Sequence, residues 1–231
     1  MDQSTVSDQI TKLSHKIRDF ERQYARDKGS VTLLAVSKTR HLEEVKAAMH
    51  AGQTAFGENY AQELVQKSQA IGPEAAEWHF IGPLQSNKAK YIAEHADWIH
   101  TVDRLKTADK LNRLLEKNGR KINACIQLNI DQELSKAGID IKSLPAFAEH
   151  LEALPQINLR GLMCIPKTQQ RVSQQRQTFA EVRKLQEQLI NTRHELDTLS
   201  FGMSNDYEAA IAEGATIVRI GTAIFGPRKP S

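Results

Sequence analysis

The stretch Val31-Thr32-Leu33-Leu34-Ala35-Val36-Ser37-Lys38-Thr39 sets the reading of the whole chain. It is an apolar, partly β-branched run that stops abruptly in polar residues, the profile of a strand buried on both faces. Such strands belong to parallel sheets covered by helices, and the chain repeats the pattern. Comparable runs lie at 54–58, 78–81, 98–102, 123–130, 158–164, 199–203 and 216–220, which with 31–36 make eight strands. Between them the apolar residues keep helical spacings, as in Leu42/Val45/Met49, Leu105/Ala108/Leu111/Leu115, Phe147/Leu151/Leu154 and Phe179/Val182/Leu185/Leu189. Strand and helix in strict alternation predict an α/β fold with a parallel sheet.

Eight such strands either form an open doubly wound sheet or close into a (β/α)8 TIM barrel. The open sheet ordinarily carries Gly-x-Gly-x-x-Gly or a P-loop after its first strand, and neither is present. Polar residues follow or end nearly every strand: Lys38, Asn59, Gln85, Asp103, Asn129, Ser204 and Arg219. An open sheet needs such ends only at its switch point, whereas a barrel gathers all of them around one mouth. The expectation is therefore a barrel.

Upstream, Val6, Ile10, Leu13, Ile17, Phe20 and Tyr24 draw a single apolar stripe along an extra N-terminal helix. The tail from Phe225 is too short for a normal eighth helix, so the striped helix is expected to fill that place. Residues 1–231 read as one domain: a helix at about 4–27 and a barrel at about 31–226. The stripe then has an intramolecular use, and a monomer is expected.

With 40% hydrophobic and 26% charged residues, the composition is that of an ordinary soluble domain. The polar beginning lacks a secretory signal and no apolar run approaches membrane-spanning length, so a cytoplasmic protein without membrane contact is expected. The net charge of +3 is dispersed and the aromatics are scattered, which argues against nucleic-acid binding. Cys125 and Cys164 sit inside strand-like runs without metal-ligand spacing and read as buried thiols; no metal is expected.

Lys38, just beyond the first strand, would reach the barrel mouth. A lysine there is ordinarily a solvated loop residue, but the end of the chain gives it a counterpart. Phe201-Gly202-Met203-Ser204-Asn205-Asp206 turns from a strand into a helix, with Ser204 or Asn205 suited to cap it. Val218-Arg219-Ile220-Gly221-Thr222 closes the last strand with a glycine and a hydroxyl. Barrels often bind phosphate with these two loops, although glycine turns and a capping serine also serve simple punctuation. An amine facing a doubled anion cradle suits a phosphorylated aldehyde. The amine must first lose its proton, at a cost of roughly 4–5 kcal/mol near neutral pH, and burial beside a cation would lower that cost.

Arg219 lies two residues before Gly221 and projects to the same side of its strand. It would either pair with Glu58, Asp103 or another rim carboxylate, or face a ligand ring whose nitrogen it could not deprotonate onto itself. Glu58 and Asn59 could touch a ligand, and Asn59 could equally cap the next helix. Met163 would line the mouth or fill the core. His79 reads as an interior histidine satisfied by neighbours, and Lys136 as a loop lysine on the functional face.

Four blocks in order, Phe56-Gly57-Glu58-Asn59-Tyr60, Trp78 to Lys88, Gly202 to Asp206 and Val218 to Gly226, resemble the pyridoxal phosphate homeostasis family. The resemblance implies a single-domain barrel of the alanine racemase N-terminal type that binds pyridoxal 5′-phosphate and acts in vitamin B6 homeostasis without established catalysis. It implies a Schiff base on Lys38, phosphate contacts at Ser204, Gly221 and Thr222, and Arg219 on the pyridine nitrogen; Asn59 and Met163 join this cofactor-binding set from their own places at the mouth. Apo-enzymes that use the cofactor are the implied partners. Phe201 departs from the family's more usual methionine. Racemases of this fold add a second domain bearing the opposite-face base, and this chain ends soon after Gly226, so absence of turnover is expected, with a slow racemase the alternative.

Overall fold

The computed structural model describes residues 3–72, 74–132, 137–190 and 196–227. Eight parallel strands close into a barrel in sequence order: β1 Thr32–Val36, β2 Ala55–Glu58, β3 Glu77–Phe80, β4 Trp98–Val102, β5 Ile122–Leu128, β6 Ile157–Cys164, β7 Thr198–Ser200 and β8 Ile217–Ile220. Closure is made by β1, which pairs with β2 on one side and with β8 on the other. Every strand expected from the sequence is present, with ends moved by a few residues. The seventh stops at Ser200 because Gly202, at φ 93°, turns the chain away two residues later.

The helices are α1 Gln3–Gln23, α2 Leu42–His50, α3 Ala61–Ile71, α4 Ala89–His95, α5 Leu105–Lys117, α6 Leu144–Glu152, α7 Val172–Ile190, α8 Tyr207–Ala212 and α9 Thr222–Phe225. In α1 the stripe residues Val6, Ile10, Leu13 and Ile17 are buried, and the helix packs between α2 and α8 and against the short α9. It occupies the place expected for a missing eighth helix. It ends at Gln23, short of residue 27, because Ala25 adopts φ 50°. Buried Glu21 then accepts hydrogen bonds from Gly29 N and Val31 N, at 3.0 and 2.8 Å, and pairs with Arg18 at 2.8 Å. That carboxylate fixes the angle at which the chain enters β1.

Side chains alternate across each strand, so the sheet has two different faces. The outer face meets the helices in one continuous apolar core that includes Phe56, Trp78, Phe80, Phe179, Phe201 and Phe225. The inner face holds two small clusters, Leu34/Ala55/Ile217 and Trp98/Cys125/Met163. Between those clusters runs a polar seam of His79, His100, Ser200 and Arg219. Both cysteines are buried, as expected, and burial pushes their thiols up to about 12. Among the described residues no helix is long and apolar enough to cross a membrane, and no cluster of candidate ligands could hold a metal ion.

Candidate functional site

At the C-terminal ends of the strands opens a cavity of about 320 Å³, within the range of small-ligand sites. Its lining brings together Lys38, Asn59, Met163, Ser204, Arg219, Gly221 and Thr222. Val36, Ile81, Ile165 and Pro166 supply apolar walls, and Thr168, Asn205 and Asp206 add polar ones. Gln85, Asp103 and Asn129, also expected around the mouth, are not among the lining residues. Lys136 lies outside the described residues.

Lys38 follows β1 on a loop that is held from both sides. The Ser37 carbonyl accepts from Lys67 Nζ at 2.7 Å, and Thr39 N donates to Glu63 Oε2 at 2.7 Å. Thr39 adopts φ 61°, an unfavourable region for a β-branched residue, so the Glu63 bond helps to hold a backbone that would otherwise relax. Lys67 also donates to Glu58 Oε1 and Glu63 Oε2, at 2.7 and 2.8 Å, and Ser37 Oγ donates to Glu58 Oε1 at 2.6 Å. Glu58 is fully buried, its Oε2 has no hydrogen-bond partner, and burial outweighs Lys67 to push the carboxyl up to about 7. This carboxylate belongs to the outer face of the sheet. The expectation that it touches a ligand is therefore corrected, because adjacent strand residues point to opposite sides and Asn59 is the one facing the cavity.

Arg219 meets neither Glu58 nor Asp103. Its Nη1 donates to Ser200 O at 2.6 Å and to Ser200 Oγ at 2.8 Å, while Nη2 donates to Cys164 O at 2.9 Å. The group lies inside the barrel, where the strand carbonyls of Ser200 and Cys164 take its hydrogen bonds. Burial draws its pKa below that of an ordinary arginine.

The turn after β7 is closed by Asp206 N donating to Met203 O at 3.1 Å and Met203 N donating to Asp206 Oδ1 at 2.6 Å. Asp206, not Ser204 or Asn205, holds the N-cap position of α8, without a side-chain bond to the helix, and Ser204 and Asn205 line the cavity. After β8, Gly221 precedes the single turn of α9, and a Cβ there would lie 3.1 Å from Val36 O. The two turns and Lys38 face one space. Within it, Asn59 Oδ1 is buried without a partner, an acceptor waiting for a donor.

Lys67, Glu63 and Ser200 escaped the sequence reading. Glu63 and Lys67 have the spacing of an exposed helical ion pair, and only the docking of α3 over the ends of β1 and β2 buries it.

The chain matches the family model for the alanine racemase N-terminal domain over residues 9–229. It is 47% identical over 225 residues to the pyridoxal phosphate homeostasis protein of Pseudomonas aeruginosa, covering 97% of this chain and 96% of that one. Among solved structures, PipY of Synechococcus elongatus with pyridoxal phosphate bound superposes with a TM-score of 0.83 at 36% identity, covering 96% of this chain and all of PipY. A protein of Bifidobacterium adolescentis reaches 0.90 at 34% identity, with 97% of each chain covered. Full-length similarity at these levels leaves one assignment: the chain belongs to the pyridoxal phosphate homeostasis family of alanine racemase N-terminal barrels.

Proposed function

We propose that this protein binds pyridoxal 5′-phosphate in the barrel mouth and holds it in the service of cellular B6 balance, without turning over an amino acid. The observation that carries the reading is one cavity in which an amine, a buried guanidinium and two consecutive anion-suited turns converge. The residues fit the group. Lys38 would hold the aldehyde covalently, Ser204, Gly221 and Thr222 would take the phosphate, and Arg219 would face the pyridine nitrogen. The unpartnered Asn59 Oδ1 is matched by a hydroxyl donor such as the one on the pyridine ring. Met163 and Ile81 give the ring an apolar bed.

Bound there, the cofactor supplies an electrophilic carbon and an electron-withdrawing ring. Arg219 limits the second property, because a guanidinium is always charged and donates only, so the ring nitrogen beside it stays unprotonated. Among the described lining residues, Lys38 and Asp206 are the groups able to accept a proton, and Asp206 Oδ1 is already engaged by Met203 N. A racemase needs two placed bases on opposite faces of the ligand. Storage and delivery to apo-enzymes suits this arrangement better than turnover, and the related proteins carry a name for homeostasis and not for a reaction.

Purified protein mixed with pyridoxal phosphate should develop the visible absorbance of a lysine-bound cofactor. Lys38→Ala should abolish it, and an unchanged spectrum in that variant would refute the assignment. Chiral chromatography after incubation with single L-amino acids tests the rest: enantiomer exchange above the Lys38→Ala background would make the protein an enzyme.

A further inference from the structure

The polar seam inside the barrel is a continuous chain of hydrogen bonds from the mouth to the opposite rim. Arg219 Nη1 is 2.8 Å from Ser200 Oγ, Ser200 Oγ is 2.7 Å from His100 Nδ1, and His100 Nε2 is 2.9 Å from His79 Nδ1. His79 Nε2 then lies 3.1 Å from Glu77 Oε2, at the start of β3, where the carboxylate is half exposed to solvent. The inner members are all buried.

The chemistry of its two ends gives this chain a direction. Arginine can only donate and a carboxylate can only accept, while a neutral imidazole has one N–H and one lone pair. With both rings neutral, a single arrangement satisfies every contact. Arg219 donates to Ser200 Oγ, whose hydroxyl donates to His100 Nδ1; His100 Nε2–H donates to His79 Nδ1, and His79 Nε2–H donates to Glu77. Neutrality of His100 follows from its surroundings, since complete burial above all holds its pKa well below the usual value. The His79 contact in turn draws Glu77 below the ordinary carboxylate range.

Resting on the reading that Arg219 faces the cofactor ring, we propose that Ser200, His100 and His79 are positioning residues. They form a relay that couples the hydrogen bonding of Arg219 at the mouth to the protonation state at Glu77 on the far rim.

Proton uptake at the Glu77 carboxylate, which then donates to His79 Nε2, reverses the relay. His79 Nδ1–H then donates to His100 Nε2, His100 changes tautomer and donates from Nδ1 to Ser200 Oγ, and the serine hydroxyl must turn its own hydrogen elsewhere. Arg219 keeps its bonds to the Ser200 and Cys164 carbonyls but now faces an oxygen that accepts twice. Other charged or titratable groups bear on the chain. At the rim, Trp98 stacks on His79 with centroids 5.5 Å apart and donates to Glu77 Oε1. Arg160 lies over the Trp98 ring and pairs with Asp197. The Cys125 and Cys164 thiols and Asp206 stand near Arg219, and burial keeps both thiols protonated.

Nitrogen-15 NMR of the imidazoles in the full-length protein tests the proposal, with assignments from single histidine variants. In the cofactor-free protein near neutral pH, His79 and His100 should both appear as neutral rings protonated at Nε2. The Nδ1–H tautomer at either ring would overturn the stated direction. Adding pyridoxal phosphate should move the ring signals of His100 and of the distant His79. In Ser200→Ala, which keeps the carbonyl that Arg219 also uses, the His79 response should vanish; an equal response in that variant, or none in the natural protein, would refute the coupling. Glu77→Gln, at the half-exposed rim, keeps an oxygen for the Trp98 indole and should displace the pH curve of the bound cofactor's visible spectrum, and an unmoved curve would count against the relay. Failure of the natural protein to bind pyridoxal phosphate would strike the functional reading instead and leave the tautomer result standing on its own.

Discussion

Replacing Glu58 with glutamine should make the protein's stability less sensitive to pH, by an amount the site itself sets. The carboxyl is fully buried and is pushed from 4.5 up to about 7, chiefly by burial and against the pull of Lys67. In the unfolded chain it titrates near the ordinary value. Between those two pH values the folded state therefore holds a proton that the unfolded state has lost. Stability from this group is present below about pH 4.5 and declines as pH rises through about 7. At about 1.4 kcal/mol per pH unit, the full decline is about 3 kcal/mol. Glutamine keeps an amide oxygen for Ser37 Oγ and Lys67 and cannot ionise, and Lys67 retains Glu63 and the Ser37 carbonyl. Urea unfolding followed by tryptophan fluorescence, at several values between about pH 4 and 8, gives the two profiles. Their difference cancels the titrating groups that do not touch Glu58, and the variant should gain about 3 kcal/mol on the natural protein across that range. A difference that stays flat would show that Glu58 does not titrate there, and would overturn the claim that burial outweighs the Lys67 ion pair.

Two further substitutions probe the frame that carries the site. A Cβ on Gly161 would stand 1.8 Å from the Thr198 carbonyl oxygen, so Gly161→Ala should force β6 and β7 apart; loss of the cooperative thermal transition, or a fall in Tm of several degrees, is expected in calorimetry, and an unchanged Tm would refute it. Glu21→Gln replaces the buried acceptor of Gly29 N and Val31 N and takes the carboxylate from Arg18, which keeps only the Val31 carbonyl, so a loss of about 1–3 kcal/mol is expected in urea unfolding.

The barrel was legible because a strand buried on both faces has a plain apolar signature, and because eight repetitions with polar ends leave few topologies. Lys38, Arg219 and the turns after β7 and β8 were legible for a related reason: each sits at a fixed offset from the end of a recognisable strand. What escaped depends on distances that no spacing encodes. The choice between a carboxylate and a ligand for Arg219 was open in sequence, and the fold resolved it toward two carbonyls. The N-cap position of α8 fell to Asp206 because the turn after β7 runs on through Ser204 and Asn205, closed by Met203 N donating to the Asp206 carboxylate, before the helix begins at Tyr207. One signal could have been used further. Alternation forbids Glu58 and Asn59 from facing the same side, so assigning Asn59 to the mouth already sends Glu58 to the helices and calls for a buried cation there.

That alternation also explains how one lysine can be fixed so closely at the edge of an open cavity. Ser37 points outward and Lys38 inward, so the outer network of Glu58, Lys67 and Glu63 grips the peptide groups on both sides of Lys38 without entering the ligand's space. On the inner face, Ser200 grips Arg219 in the same manner from below. The two networks share no residue, and a sheet lies between them. A variant in one should therefore leave the other intact. Disturbing Lys67 should loosen the amine while the environment of the ring nitrogen is kept, whereas disturbing Ser200 should alter that environment while the amine stays placed. Energies of such separated changes add when nothing is shared between the sites. The double variant Lys67→Met with Ser200→Ala should thus lose affinity for pyridoxal phosphate by the product of the two single factors, as read by titration of the visible band. A loss much larger or smaller than that product would mean that amine and guanidinium are coupled through the sheet, and the picture of two independent clamps would have to be given up.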